Sequence, residues 1–168
     1  MTNHRSHAVM SPDERARLIQ QYADGPARLR AALARVPPEA LTWRTAPGEW
    51  SPHEVICHCA DAETNGAARI RYLLAEKEPV LAGYDQDAWA QTLDYHAQPL
   101  ESALATVEAI RAHTAALIRR LPDAAWTREG RHTELGQYTA EHWLVMYAEH
   151  LDIHARQIQA TVATWAAR

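Results

Sequence analysis

The sequence predicts an all-α fold: a four-helix bundle with long crossover loops. Three observations carry this. Ala, Leu, Glu, Gln and Arg fill most of the 168 residues, with no convincing alternating strand pattern. Four long stretches repeat apolar residues near the helical step. Two of them open on the same signal, Ser11-Pro12-Asp13-Glu14 and Ser51-Pro52-His53-Glu54. In each, the serine caps, the proline takes the first helical position and the glutamate closes the capping box.

The first helix runs from Ser11 toward Pro37-Pro38, with Leu18, Tyr22, Leu29, Leu33 and Val36 recurring on one side. Gly25-Pro26 is expected to kink or restart it. The second runs from Ser51 to about Glu76, and its inner stripe reads Val55, His58, Ala62, Asn65, Arg69, Tyr72 and Leu73. That stripe is wetter than a structural core needs. The third starts near Pro99 and uses Leu100, Leu104, Val107, Ile110, Leu117, Ile118 and Leu121. Thr139 caps the last, which reaches about Trp165. Between them lie connections over 78–97 and 122–138, longer than a bundle requires, which suggests that they shape a cleft. The expected organisation is a flexible N-terminus, 1–11, and a single helical domain, 12–168.

The formal net charge of -4, with Lys+Arg 17 against Asp+Glu 21, argues against a dedicated nucleic-acid binder. No apolar run reaches membrane-spanning length, and the start has no signal-peptide core. A cytoplasmic protein with no membrane or nucleic-acid partner is expected. Cys57 and Cys59, one residue apart, form neither a disulfide framework nor a zinc ribbon. Flanking His58 at about 100° on either side, they read as small core residues rather than ligands.

Ten histidines are the unusual feature. In the last helix, His150 and His154 stand one turn apart on an inner stripe of Trp143, Tyr147, Ile158, Thr161 and Trp165. Two adjacent buried imidazoles cost stability unless something satisfies them, and a divalent metal does so while preferring neutral rings. His58 lies on the inner stripe of the second helix, so three imidazoles can face one point. Three protein ligands with positions left open are the pattern of a catalytic metal site. Zinc, nickel and iron all accept this donor set. No phosphate-binding glycine loop, serine-hydrolase elbow or H-E-x-x-H zincin motif is present.

The combined elements are Trp50-Ser-Pro-His-Glu-Val-Ile-Cys-His58-Cys-Ala-Asp61-Ala-Glu63, Asp85-Gln-Asp87-Ala-Trp89, Gly136-Gln-Tyr-Thr139 and Glu149-His150-Leu-Asp-Ile-His154. They resemble the DinB/YfiT-like superfamily of small metal-binding four-helix bundles over roughly 12–165. The resemblance implies His58, His150 and His154 as ligands of one divalent ion. It also implies a homodimer and a small-molecule substrate. Some members are thiol-dependent transferases using bacillithiol or mycothiol. The leading expectation is therefore transfer with a low-molecular-weight thiol; the alternatives are metal-dependent hydrolysis and a non-catalytic metal-binding bundle.

Other residues carry secondary expectations. Asp61, one turn after His58, is a candidate to orient an imidazole, against an ordinary surface acid. Glu63, about 140° from His58, is expected to serve another contact. Arg69 would bind an anionic substrate or cofactor, or pair with an acid across the bundle. Asp85 and Asp87 are candidates to activate water at the site. Trp50 and Trp89 would anchor the loops. His53 and His142 are expected at the surface or an interface. His4 and His7 belong to the flexible terminus.

Overall fold

The computed structural model describes residues 10–168. The flexible segment expected over 1–11, with His4 and His7, falls outside the described residues except for Met10 and Ser11.

Four long helices form the body: α1 (Pro12–Leu33), α2 (Pro52–Ala75), α4 (Leu100–Ile118) and α5 (Ala140–Ala166), with a short α3 (Gln86–Thr92) between α2 and α4. The capping signals act as their residue types dictate. Ser11 Oγ accepts from the Glu14 N–H at 3.2 Å. Ser51 Oγ accepts from the Glu54 N–H at 3.3 Å while the Ser51 N–H donates to Glu54 Oε2 at 2.9 Å, a complete capping box. Thr139 Oγ1 accepts from the His142 N–H at 3.1 Å.

Helix α1 runs unbroken through Gly25 and Pro26, where an interruption was expected, and ends at Leu33, leaving Val36 outside it. Pro26 has no N–H for the Tyr22 carbonyl, which accepts instead from Arg111 Nη1 at 2.8 Å. A Cβ on Gly25 would lie 3.1 Å from Leu151 Cδ1 and 3.3 Å from Arg111 Nη1, so the glycine lets α5 and an arginine of α4 come close. In α2 the inward stripe differs in part from expectation: Val55, His58, Ala62 and Leu73 are buried as expected, but Glu63, Gly66 and Ile70 are buried too, whereas Tyr72 is exposed.

Helix α1 packs on α5 and α4, and α2 packs on α4 and α5. Helices α1 and α2 therefore stand diagonally across the bundle, as do α4 and α5. The connections 34–51 and 119–139 each cross a diagonal, while 76–99 joins neighbours.

The connections also hold a small sheet that no sequence pattern indicated. Strands β1 (Val80–Leu81), β2 (Glu129–His132) and β3 (Gly136–Thr139) lie in the order β1-β2-β3. Val80 pairs with Arg131 in parallel, and Gly130 pairs with Tyr138 in antiparallel register. This sheet ties the α2–α4 connection to the α4–α5 connection over one end of the bundle.

Two apolar clusters fill the interior. One holds Leu29, Val55, Ile56, Leu104, Val107, Leu151 and Ile158; the other holds Leu18, Tyr22, Ile70, Leu73, Ile118, Trp143 and Tyr147. Along every long helix the two are separated at one level, by Gly25 in α1, Glu63 in α2, Arg111 in α4 and His150 in α5. This level is polar, and it positions the site.

Candidate metal centre

His58, His150 and His154 converge where α2 meets α5, each offering a ligand atom, all within 4.8 Å of one another. His58 is 1% exposed. The indole of Trp50 covers its ring, with centroids 4.6 Å apart. His150 and His154, one helical turn apart, bring their Nε2 atoms to 3.2 Å. Nitrogens held about 2.0–2.1 Å from one tetrahedral ion lie roughly 3.3 Å from each other, so this spacing suits a shared ion.

The other ring nitrogens decide which lone pairs are free. His150 Nδ1 lies 3.2 Å from Glu63 Oε1, and His154 Nδ1 lies 2.8 Å from Gln157 Oε1. An ionised carboxylate and an amide oxygen are acceptors, so each Nδ1 carries its proton outward. Neutral rings in that tautomer aim two Nε2 lone pairs at each other, an arrangement that a shared metal ion satisfies, as a single shared proton also would. His58 Nδ1 is buried with no hydrogen-bond partner among the described residues. An orphaned imidazole nitrogen beside two converging lone pairs fits a metal site.

Charge states agree. Burial, reinforced by His154 and His150, pushes the His58 imidazole down to about 2. Burial and His150 push His154 down to about 4. Both rings are neutral, and therefore able to ligate a metal, at neutral pH.

Glu63 is fully buried and bound by Arg111 through two parallel bonds, Nε to Oε2 and Nη2 to Oε1, both 2.6 Å. Burial pushes its carboxyl up, but the Arg111 charge and the bonds from His150 and Arg111 outweigh it and hold it below the usual carboxylate range. Arg111 is itself satisfied: it donates to the Tyr22 and Tyr147 carbonyls, each at 2.8 Å, and lies 3.8 Å over the Tyr22 ring. One buried network thus joins all four long helices to His150.

A cavity of about 100 Å³ opens beside the triad, lined by His58, His150, Arg69, Tyr84, Tyr147 and Met146 among others. Arg69 donates to Tyr147 Oη at 3.2 Å and to the Ala82 carbonyl at 2.5 Å. It makes no ion pair among the described residues, so the cross-bundle salt bridge expected as one reading is absent there.

The structure brings together His58, His150, His154 and Arg69, but not the two aspartates. Asp85 caps α3, its Oδ1 accepting from the Ala88 N–H at 2.9 Å. Asp87 lines a separate cavity with Arg44, Trp50 and Glu54. Both are exposed, and Gln86 between them reaches the cavity at the triad. Trp89, as expected, packs against the core, and its ring lies tilted against Tyr84 with centroids 4.4 Å apart.

Asp61 does not orient a histidine; its Oδ2 accepts from Tyr95 Oη at 2.7 Å. His53 is buried rather than exposed, with Nε2 3.0 Å from the Gln98 carbonyl. Cys57 and Cys59 are free, buried core residues. Glu63, Arg111 and Gln157 were not foreseen as supports. The available signal was an arginine on the apolar stripe of α4, four residues from Val107 and seven from Ile118, which demands a buried acid.

The family model described as the DinB superfamily matches residues 21–158. The chain belongs to the DinB superfamily. Among its relatives in the superfamily, a protein of Oceanobacillus iheyensis is 29% identical over 140 residues, 83% of this chain and 81% of that one. YfiT of Bacillus subtilis is 27% identical over 150 residues, 89% of this chain and 84% of that one. Both carry names that propose a metal-dependent hydrolase. A solved structure of YfiT, described as having an unusual four-helix bundle topology, superposes with a TM-score of 0.88 at 24% identity. It covers 97% of this DinB-superfamily chain and 94% of its own, which establishes a shared fold.

Proposed function

We propose that this DinB-superfamily chain is a metal-dependent hydrolase of a small molecule, with His58, His150 and His154 holding one divalent ion. The observation that carries the reading is the 3.2 Å approach of the His150 and His154 Nε2 atoms. Both Nδ1 protons are held elsewhere, and His58 closes the third side. Zinc, nickel and iron suit three imidazoles. Such an ion, when bound, supplies Lewis-acid chemistry, polarising a carbonyl or phosphoryl oxygen and acidifying water or a thiol.

The chain's own residues do the rest. Glu63 keeps the His150 proton at Nδ1, and Gln157 does the same for His154. Arg111 keeps Glu63 ionised. Trp50 shields His58 from water on one side, and Tyr84 and Met146 wall the cavity on the other. Arg69 presents a cation to whatever enters, substrate or cofactor. We assign Asp85 and Asp87 to shaping the loop that carries Tyr84 and Trp89.

The names of the relatives support hydrolysis over transfer to a low-molecular-weight thiol, although three histidines serve either chemistry. No described helix is long and apolar enough to cross a membrane. A cytoplasmic homodimer is the working assembly, and sedimentation reads its stoichiometry.

The test is turnover of chromogenic esters, amides and phosphoesters by metal-loaded protein, with and without an added low-molecular-weight thiol. Thiol-independent hydrolysis that disappears on chelation is the expected result. Turnover only with thiol would replace hydrolysis by transfer, and turnover unaffected by chelation would remove the metal from the reaction.

A further inference from the structure

Tyr147 and Arg69 line the same cavity as His58 and His150. Their bonding leaves unspent donors. Tyr147 Oη accepts from Arg69 Nη1 at 3.2 Å, and no acceptor among the described residues takes the phenol's own proton. A phenol is protonated at neutral pH, so one O–H is available. Of the five N–H donors of a guanidinium, those of Arg69 engage only the Tyr147 oxygen and the Ala82 carbonyl. Its charge meets no carboxylate within ion-pair distance among the described residues.

The two groups are rigidly placed. The Tyr147 ring stacks on Trp143, with centroids 5.1 Å apart. It also fills the gap left by Gly66, where a Cβ would lie 2.3 Å from the ring. Arg69 lies 5.9 Å from the Tyr84 ring centroid. Tyr147 is buried, 6% exposed, so most of the side chain is withdrawn from bulk water. A half-buried, unpaired arginine beside an unspent phenol donor is an oxyanion receptor awaiting its anion.

We infer that Arg69 and Tyr147 form a carboxylate clamp, so that the substrate is a small carboxylic acid derivative. Its carboxylate docks on this pair, and its scissile group lies toward His58 and His150, which line the same cavity. The inference rests on the hydrolase reading for the second half of that statement only. The cavity, about 100 Å³ and open to solvent, has room for a carboxylate and a short chain. The planar guanidinium fork can hold a carboxylate through two parallel bonds.

The probes are propionate and propionamide, of equal shape and different charge, titrated by amide NMR into the protein as purified and into its His154→Ala variant. Propionate is expected to bind at least about tenfold more tightly, as a charge-assisted contact should. It should shift amides around 69, 82 and 147. The preference should persist in His154→Ala and vanish in Arg69→Gln. Tyr147→Phe, which keeps the ring, should lose several-fold, and this variant decides the matter if Arg69→Gln fails to fold. Equal binding of the two probes would overturn the clamp, as would a preference that survives Arg69→Gln or one that Tyr147→Phe leaves undiminished. A preference lost in His154→Ala would overturn it too, by showing that the ion holds the anion. Metal content is measured on the same samples. Wild type that is metal-free and takes up no metal on titration, with propionate preference intact, would remove the hydrolase reading and leave the clamp standing.

Discussion

Glu63 and His150 stand 3.2 Å apart, carboxylate oxygen to Nδ1, at the level where all four long helices turn polar. The same carboxylate takes both bonds of Arg111. Orientation of a metal-facing imidazole is thereby coupled to the buried ion pair of the bundle. Neither side chain of the pair reaches solvent, so neither charge tolerates loss of the other.

Glu63→Gln should therefore act twice. It strands the Arg111 charge, costing about 3–5 kcal/mol of stability, and it weakens the anchor of His150, costing about 10–100-fold in metal affinity. Urea unfolding and a metal titration read these separately. The double variant Glu63→Leu/Arg111→Met should recover most of the stability, because an apolar pair replaces the ion pair. It should not recover the affinity. Full recovery of both would show that Glu63 does nothing for the histidine.

Acid should destabilise the metal-free protein earlier than ordinary carboxylate titration does. The His58 and His154 imidazoles fall from 6.5 to about 2 and about 4 on folding. Lowered folded values mean that the unfolded chain binds more protons as pH falls below about 6.5. Stability contributed by these rings is complete above that pH. It drains through the His154 value near 4 and onward toward the His58 value near 2. The melting temperature of metal-free protein should decline between pH 6.5 and 5, before most carboxylates titrate. His154→Ala should show a shallower decline, and equal slopes would contradict the assignment.

Gly66→Ala should destabilise by overpacking. The added methyl would lie 2.3 Å from the Tyr147 ring, and that ring is wedged against Trp143 with little room to retreat. A cost of about 1–3 kcal/mol is expected. Thermal melts check it, and a neutral result would show that α2 and α5 separate easily at this level.

His58, His150 and His154 were legible because each interrupts an apolar stripe at helical spacing, a property of one helix at a time. The caps at Ser11, Ser51 and Thr139 were legible for the same local reason. What stayed hidden depends on contacts between helices. Glu63 is well off the face of His58, yet it meets His150 from the neighbouring helix, and its charge makes sense only beside Arg111. Asp61 has the spacing to support a histidine, but Tyr95 claims its oxygen. The strands, of two or four residues, are too short for alternation to show. Gly25-Pro26 reads as a break in one helix and serves as a point of close approach between three.

The central claim is that three histidines share one ion. Elemental analysis of tag-free protein, beside the His150→Ala and His154→Ala variants, tests it most directly. About one zinc, nickel or iron per chain in the wild type is predicted, lost in both variants while circular dichroism keeps its helical signal. A wild type that carries no metal and takes none up on titration, or variants with unchanged metal content, would contradict the account.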